Sequence, residues 1–487
     1  MEEIQPFTIY SQIYCVYSQF FCGIIFFIVI FITYGGGHMK LSIFTKSNFS
    51  RILSIFVPIL ITQLGLFAIS FFDTFMSGKA SPEDLAGVAI GTSIWSPFYN
   101  GLAGILLGVT PIVAHLVGAN EKSGKIRFSV MQAIYVAIAM SVILIGAGAL
   151  VLEPLLTSMN LEPDVYKIAH GYLVALAFGI IPLMIYNVLR SFIDALGKTT
   201  TSMLITLIAI PVNVVFNYLF IYGKFGFPQF GGIGAGIAAA ITYWVITIIA
   251  AVILIKVQPF SAFGILKSWP IPAFKEWVEL MKIGFPIGMS IFFETSIFAA
   301  VTLAMSSYDT ITIASHQAAM NFSSFLYMVP LSFAMALTII VGHEAGAKNY
   351  KAARDYTLLG VLCAIGFATI SAIFLFIFRD YIALLYTNDP VVASLTAHFL
   401  IYAIFFQLSD ALQAPIQGAL RGYKDVNITF FMSLLSYWII GLPLGILLAN
   451  YTNLDAFGYW IGLITGLAVG ATGLSIRLVY VQRKRFI

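Results

Sequence analysis

The feature that most constrains this chain is a succession of apolar stretches, each long enough as a helix to cross about 30 Å of hydrocarbon. They are read at roughly 52–77, 86–116, 128–152, 166–193, 200–222 and 232–255, and again at roughly 280–304, 312–342, 356–378, 392–419, 427–449 and 457–480. Gly, Pro, Asn and charge clusters such as Gly118-Ala119-Asn120-Glu121-Lys122 separate them. Hydrocarbon offers no partner for backbone N–H and C=O groups, so single apolar runs of this length are helices. Composition points the same way. Of 487 residues 60% are hydrophobic and 9% charged, and 25 basic with 21 acidic side chains cannot coat a soluble core of this size. The expected class is an all-α integral membrane protein with twelve transmembrane helices, which excludes a soluble enzyme.

Short cytoplasmic loops should hold the Lys and Arg. Of the 25 basic residues, 21 fall on one side of this layout, and Lys79, Lys167, Lys224 and Arg379 fall on the other. The first helix therefore starts in the cytoplasm and the C-terminus ends there, in the inner (plasma) membrane. The net charge of +4 is a topology signal, and no nucleic acid partner is expected. Cys15, Cys22 and Cys363 have no ligand spacing and read as apolar filler.

The chain also repeats. A shift of 228 residues places Pro58 on Pro286, Ile112-Val113 on Ile340-Val341, His115 on His343, Gly118-Ala119 on Gly346-Ala347 and Ala169-His170 on Ala397-His398. Histidine occurs six times in the whole chain, so composition does not produce this. Six crossings return the chain to its starting side, and the halves are parallel repeats. The expected division is an N-lobe at 39–255, a cytoplasmic linker at 256–279 with Pro259, Pro270 and Pro272, and a C-lobe at 280–487. Residues 1–38 hold no Lys or Arg, and Gly35-Gly36-Gly37-His38 before Met39 is what a purine-rich ribosome-binding site gives when translated. That segment is expected to be non-native or dispensable, with an extra helix as the alternative.

Three acids lie deep in helices, Asp73, Glu294 and Asp410, with no Lys or Arg joining them. A charge at mid-bilayer costs about 2.5–3.5 kcal/mol on insertion scales, and water, protonation or a bound cation must offset it. Each acid also has a structural reading as a satisfied carboxylate near a helix end. Gln407, Asp410, Gln413 and Gln417 share one helix face by their spacing, and Gln317, Asn321 and Ser324 share another. Asn213 and Asn217 stand one turn apart beyond Pro211. Carboxylates with amide oxygens suit a proton or a hard monovalent cation, although amides also serve as interhelical hydrogen bonds. His115 and His343 read as structural, and His170, His316 and His398 have no second ligand at i+4, so no metal site is expected beyond Na⁺ at Glu294 and Asp410. No Walker loop is present, so ATP does not power this chain.

Several phrases occur in order: Phe72-Asp73-Thr74; Gly284-Phe285-Pro286-Ile287-Gly288 with Phe293-Glu294; Ser315-His316-Gln317 with Asn321-Phe322-Ser323-Ser324; Val341-Gly342-His343; and Asp410-Ala411-Leu412-Gln413 with Gly418-Ala419-Leu420-Arg421-Gly422-Tyr423-Lys424-Asp425. From about residue 45 to the C-terminus the chain resembles the MATE family of multidrug and toxin extrusion transporters, on its NorM branch. The resemblance implies two six-helix lobes in a V and export of organic cations in exchange for Na⁺ or H⁺. It implies a C-lobe cation site at Glu294 and Asp410, and an N-lobe site at Asp73, Asn213 and Asn217. Some relatives have an acid where this chain has Asn217, which makes the C-lobe pair the stronger coupling candidate. Gln317, Asn321, Gln407, Gln413 and Gln417 are supporting polar residues.

The expected function is a secondary antiporter for cationic amphipathic molecules, a monomer in membrane lipid with no cofactor but the coupling ion, Na⁺ or H⁺. A lipid-linked saccharide flippase of the wider superfamily is the alternative, but its anionic pyrophosphate cargo calls for intramembrane Arg or Lys, and none is read here. A receptor or channel is disfavoured by the repeat and by the lack of a carbonyl filter sequence.

Overall fold

The computed structural model describes residues 45–486, so the expectation for residues 1–38 lies outside it. Among the described residues there are twelve apolar helical spans long enough to cross a membrane and no strand. The first six are α1 (Lys46–Ala80), α2 (Pro82–Leu107) continued by α3 (Val109–Gly118), α4 (Ser123–Ser158), α5 (Pro163–Ala195), α6 (Thr199–Tyr222) and α7 (Gly232–Lys256). The second six are α8 (Phe274–Met305), α9 (Thr310–Gly346), α10 (Tyr350–Tyr386), α11 (Pro390–Gly422), a composite of α12 (Asn427–Ser433), a π-helical segment (Leu434–Gly441) and α13 (Leu442–Tyr451), and α14 (Phe457–Phe486). Large apolar side chains such as Ile143, Leu150, Ile370 and Leu385 are exposed, as a lipid-facing surface requires.

Local chemistry sets the ends and breaks. Pro82, Pro163 and Pro390 open their helices, where a missing N–H costs nothing. Asp389 Oδ1 caps α11 by accepting from Val391 N–H at 2.8 Å. Pro111 cannot donate to the carbonyl of Leu107, and the second span breaks at Gly108 between them.

The repeat is carried into three dimensions. Every span of the first six has a counterpart 228 residues on, with ends agreeing to within three residues: Lys46 and Phe274 both begin helices, as do Pro82 and Thr310 or Thr199 and Asn427. The turn after the second span shows it atom by atom. Ala119 N–H donates to His115 O at 2.9 Å and Glu121 N–H to Leu116 O at 3.0 Å; Ala347 N–H donates to His343 O at 2.9 Å and Asn349 N–H to Glu344 O at 2.8 Å. In both turns a left-handed residue, Asn120 or Lys348, lets the chain close over the last helical carbonyls.

The chain forms two compact units. One runs from Val57 to Phe292, and the other takes the described residues up to Phe56 together with Phe293 onward. The boundary in each case falls inside a helix, α1 or α8, rather than in the connecting segment. That connection is shorter than expected, because α8 begins at Phe274. It is tied to α4 through the buried Gln132, whose Nε2 donates to Ile271 O at 3.0 Å and whose Oε1 accepts from Ala273 N–H at 2.9 Å.

Two close approaches shape the second unit. At Gly418 an added Cβ would lie 2.1 Å from Ala334 O, so α9 and α11 meet backbone to backbone, and Thr338 Oγ1 donates across to Gly418 O at 3.0 Å. Gly462 of α14 likewise faces Gly441 and Gly445. Pro443, just beyond the π-helical segment, withholds a ladder N–H, and the widened turn ahead of it presents Tyr437 inward.

Candidate cation sites

In the unit from Val57 to Phe292, α1 brings Asp73 against Asn213 and Asn217 of α6. Asn217 Nδ2 donates to Asp73 Oδ1 at 2.6 Å and to Asn213 Oδ1 at 3.0 Å. All three side chains are buried, and Asn217 Oδ1 has no partner. One carboxylate and two amide oxygens gathered from two helices form a donor set that suits a small hard cation or a proton.

The other unit holds a small, partly open pocket lined by Glu294 and Phe298 of α8, Met320, Ser323, Ser324 and Tyr327 of α9, Phe406 and Asp410 of α11, and Tyr437. Each helix contributes by i,i+3 or i,i+4 steps, so one face of each looks into the same space. Tyr327 O–H donates to Glu294 Oε1 at 2.6 Å, and Gln413 Nε2 donates to Tyr437 Oη at 2.9 Å. The pocket thus joins two carboxylates to four aromatic rings.

The supporting polar residues scatter. Gln407 is buried with its Oε1 unpartnered and does not line the pocket. Gln417 accepts from Arg421 Nη2 at 3.0 Å. Gln317 and Asn321 are exposed and lie outside the pocket, Asn321 accepting from Tyr386 O–H at 3.0 Å. The pocket-lining face of α9 is 320/323/324/327, one register step from the stripe that polarity alone suggests, with Ser324 common to both. His316 is buried and accepts at Nδ1 from Trp460 Nε1–H at 3.1 Å.

Two expectations need correction. A fourth buried acid exists: Asp194 sits 3.5 Å from Arg190 Nε and accepts from Ser202 Oγ at 2.5 Å. Its i,i+4 spacing from Arg190 was a signal for the pair, hidden because both stand near a helix end. Basic side chains also enter the interior. Arg421 is 2% exposed and within electrostatic reach of Glu294. Side chains on a helix lean toward its N-terminus, so the Arg421 charge lies about a turn deeper than its Cα.

The MatE family model matches this chain twice, at residues 58–219 and 286–447, and the two matches are displaced by the same 228 residues as the internal repeat. The chain belongs to the MATE family, on its NorM branch. A relative from Bacillus subtilis (strain 168), "Probable multidrug resistance protein NorM", is 57% identical over 439 residues, covering 90% of this chain and 97% of the relative. One of the same description from Oceanobacillus iheyensis is 52% identical over 439 residues, covering 90% and 98%. Relatives in this family are described as multidrug resistance transporters and not as enzymes. Among solved structures, the eukaryotic MATE transporter AtDTX14 superimposes with a TM-score of 0.80 at 20% identity, covering 90% of this chain and 98% of that one. An outward-facing multidrug resistance MATE family transporter gives 0.79 at 18%, covering 89% and 96%. These two likenesses establish the fold of a multi-pass membrane protein.

Proposed function

We propose that this protein is a secondary active exporter that exchanges amphipathic organic cations for Na⁺ or H⁺ by alternating access, with Glu294 and Asp410 as its coupling site. The pocket carries the reading: it places two carboxylates among the rings of Phe298, Tyr327, Phe406 and Tyr437. Carboxylates in a low-dielectric interior attract a cation, and ring faces add cation–π contact for an organic one. The description of the relatives as multidrug resistance proteins supports the same cargo. Asp73, Asn213 and Asn217 form a second cation- or substrate-binding set. The basic loops support a cytoplasmic start of α1 and a cytoplasmic C-terminus in the inner membrane, and the protein works as a monomer.

A single charge moving down 100 mV gains only about 2.3 kcal/mol. Different affinities of the pocket in its two accessible states must therefore supply the rest of the direction. A shared carboxylate pair meets this need, because it cannot favour the coupling ion and the organic cation together.

The test is transport of tetraphenylphosphonium by the full chain in proteoliposomes under an imposed Na⁺ gradient and, separately, a pH gradient. Wild type should move this cation under one of them. Glu294→Gln and Asp410→Asn should each abolish this, and the double variant should be no worse than either. Wild-type rates in both single variants under both gradients would remove coupling from this pair.

A further inference from the structure

The pocket contains two acids, and among the described residues the same unit contains one buried arginine whose role the exchange reading does not use. Arg421 lies in the last turn of α11, on the face that carries Asp410, Gln413 and Gln417. Its Nη2 donates to Gln417 Oε1 at 3.0 Å, its Nε has no partner, and among the described residues it forms no ion pair. Glu294 is the carboxylate within its electrostatic reach. Other bases of this unit are already committed: Arg51 to Glu344 at 2.6 Å and Arg477 of α14 to Asp425 at 2.6 Å. The ionisable groups facing the pocket are Glu294 from α8, Tyr327 from α9, Asp410 from α11 and Tyr437 from the π-helical segment.

We infer that Arg421 is the fixed countercharge of the Glu294–Asp410 pocket and sets its capacity at one monovalent cation. The inference rests on the exchange reading above. Two carboxylates and one guanidinium leave a net charge of −1 when the pocket is empty. One Na⁺ or one H⁺ brings the interior to neutrality. A second monovalent ion, or a divalent one, would leave it at +1, and an uncompensated charge away from water is the expensive state. Arginine suits the task because it stays protonated when buried, so the count does not drift with pH. The hydrogen bond to Gln417 holds the guanidinium on the Asp410 face of α11, about two turns further along the helix and outside the pocket lining, so it adds its charge to the same buried interior without occupying the ion's place.

The experiment measures how tetraphenylphosphonium transport depends on coupling-ion concentration in wild type, Arg421→Gln, Arg421→Lys and Glu294→Gln. Wild type should show a Hill slope near one. Arg421→Gln should raise the slope toward two and lower the half-saturating ion concentration at least tenfold, and Arg421→Lys should stay near wild type. A thermal melt adds a readout that needs no transport: Arg421→Gln should melt lower than wild type, and adding Glu294→Gln to it should recover the loss, since net charge returns to −1. A mere packing role for Arg421 would not be rescued by a change on another helix. If Glu294→Gln transports normally, the exchange reading fails and the inference with it. If Glu294→Gln is inactive while Arg421→Gln keeps the wild-type slope and half-saturation, or if the melt shows no charge rescue, the inference alone is overturned.

Discussion

Replacing Gly418 by alanine tests whether the pocket depends on backbone contact between α9 and α11. The new Cβ would stand 2.1 Å from Ala334 O, 2.5 Å from its Cα and 2.6 Å from its carbonyl carbon, all backbone atoms that no rotamer change can move. The two helices must separate, which costs about 1–3 kcal/mol as overpacking. Separation also stretches the Thr338–Gly418 hydrogen bond, worth about 1 kcal/mol. The better helix propensity of alanine returns up to about 1 kcal/mol, leaving a net loss of roughly 1–3 kcal/mol. Two other glycines calibrate the measurement. At Gly473 the Cβ would meet Met432 Cε at 2.3 Å, a flexible chain end that can swing aside, and at Gly146 it would meet nothing within 4 Å. Thermal melts of the purified proteins should therefore rank Gly146→Ala at or above wild type, Gly473→Ala slightly below and Gly418→Ala lowest. Because α11 carries Asp410, tetraphenylphosphonium transport should fall with the last substitution alone. Gly418→Ala melting with wild type would refute the backbone contact.

Asp73→Asn keeps the shape of the α1 side chain but removes the charge that Asn217 Nδ2 donates to at 2.6 Å; transport should drop at least tenfold with near-normal membrane yield, and unchanged transport would give Asp73 a structural role. Tyr327→Phe deletes the donor to Glu294 Oε1 at 2.6 Å, a charge-assisted bond worth about 1.5–3 kcal/mol. Without it the carboxylate gains more from a cation, so the half-saturating coupling-ion concentration should fall roughly 10- to 100-fold; no change would reduce Tyr327 to packing.

What the sequence displays best is whatever follows from period and composition. Spans, repeat and deep acids are all of this kind, because apolar length and a charge inside it are visible without knowing which helices meet. The trio Asp73, Asn213 and Asn217 is brought together as the family resemblance implies, while polarity alone pairs only the two asparagines. The face of α9 was harder to read. Gln317 and Asn321 are more polar than Ser323 and Tyr327, yet the pocket is lined by the latter pair. Tyrosine looks like core filler in a chain with 24 of them, and only the partner across the interface reveals its hydroxyl as a donor. The charges of Arg190 and Arg421 were misplaced for a related reason: position along the helix locates the Cα, while a long side chain carries its charge a further turn inward.

The repeat shares a scaffold and divides the chemistry. Shifted by 228 residues, Glu294 falls on Leu66 and Asp410 on Pro182, while Asp73 falls on Val301, Asn213 on Gly441 and Asn217 on Gly445. The last two pairs show how one backbone position serves two ends. In α6 the asparagines reach Asp73, whereas Gly441 and Gly445 admit the backbone of α14, where Gly462 packs against both. A second copy of the Asp73 site would have to place side chains where that helix already lies. The C-terminal unit instead opens a pocket between α8, α9 and α11, on positions whose counterparts are a leucine and a proline. Two unlike candidate cation sites in one duplicated fold thus follow from steric exclusion at two glycines, and the proposed coupling need not be symmetric even though the helices are.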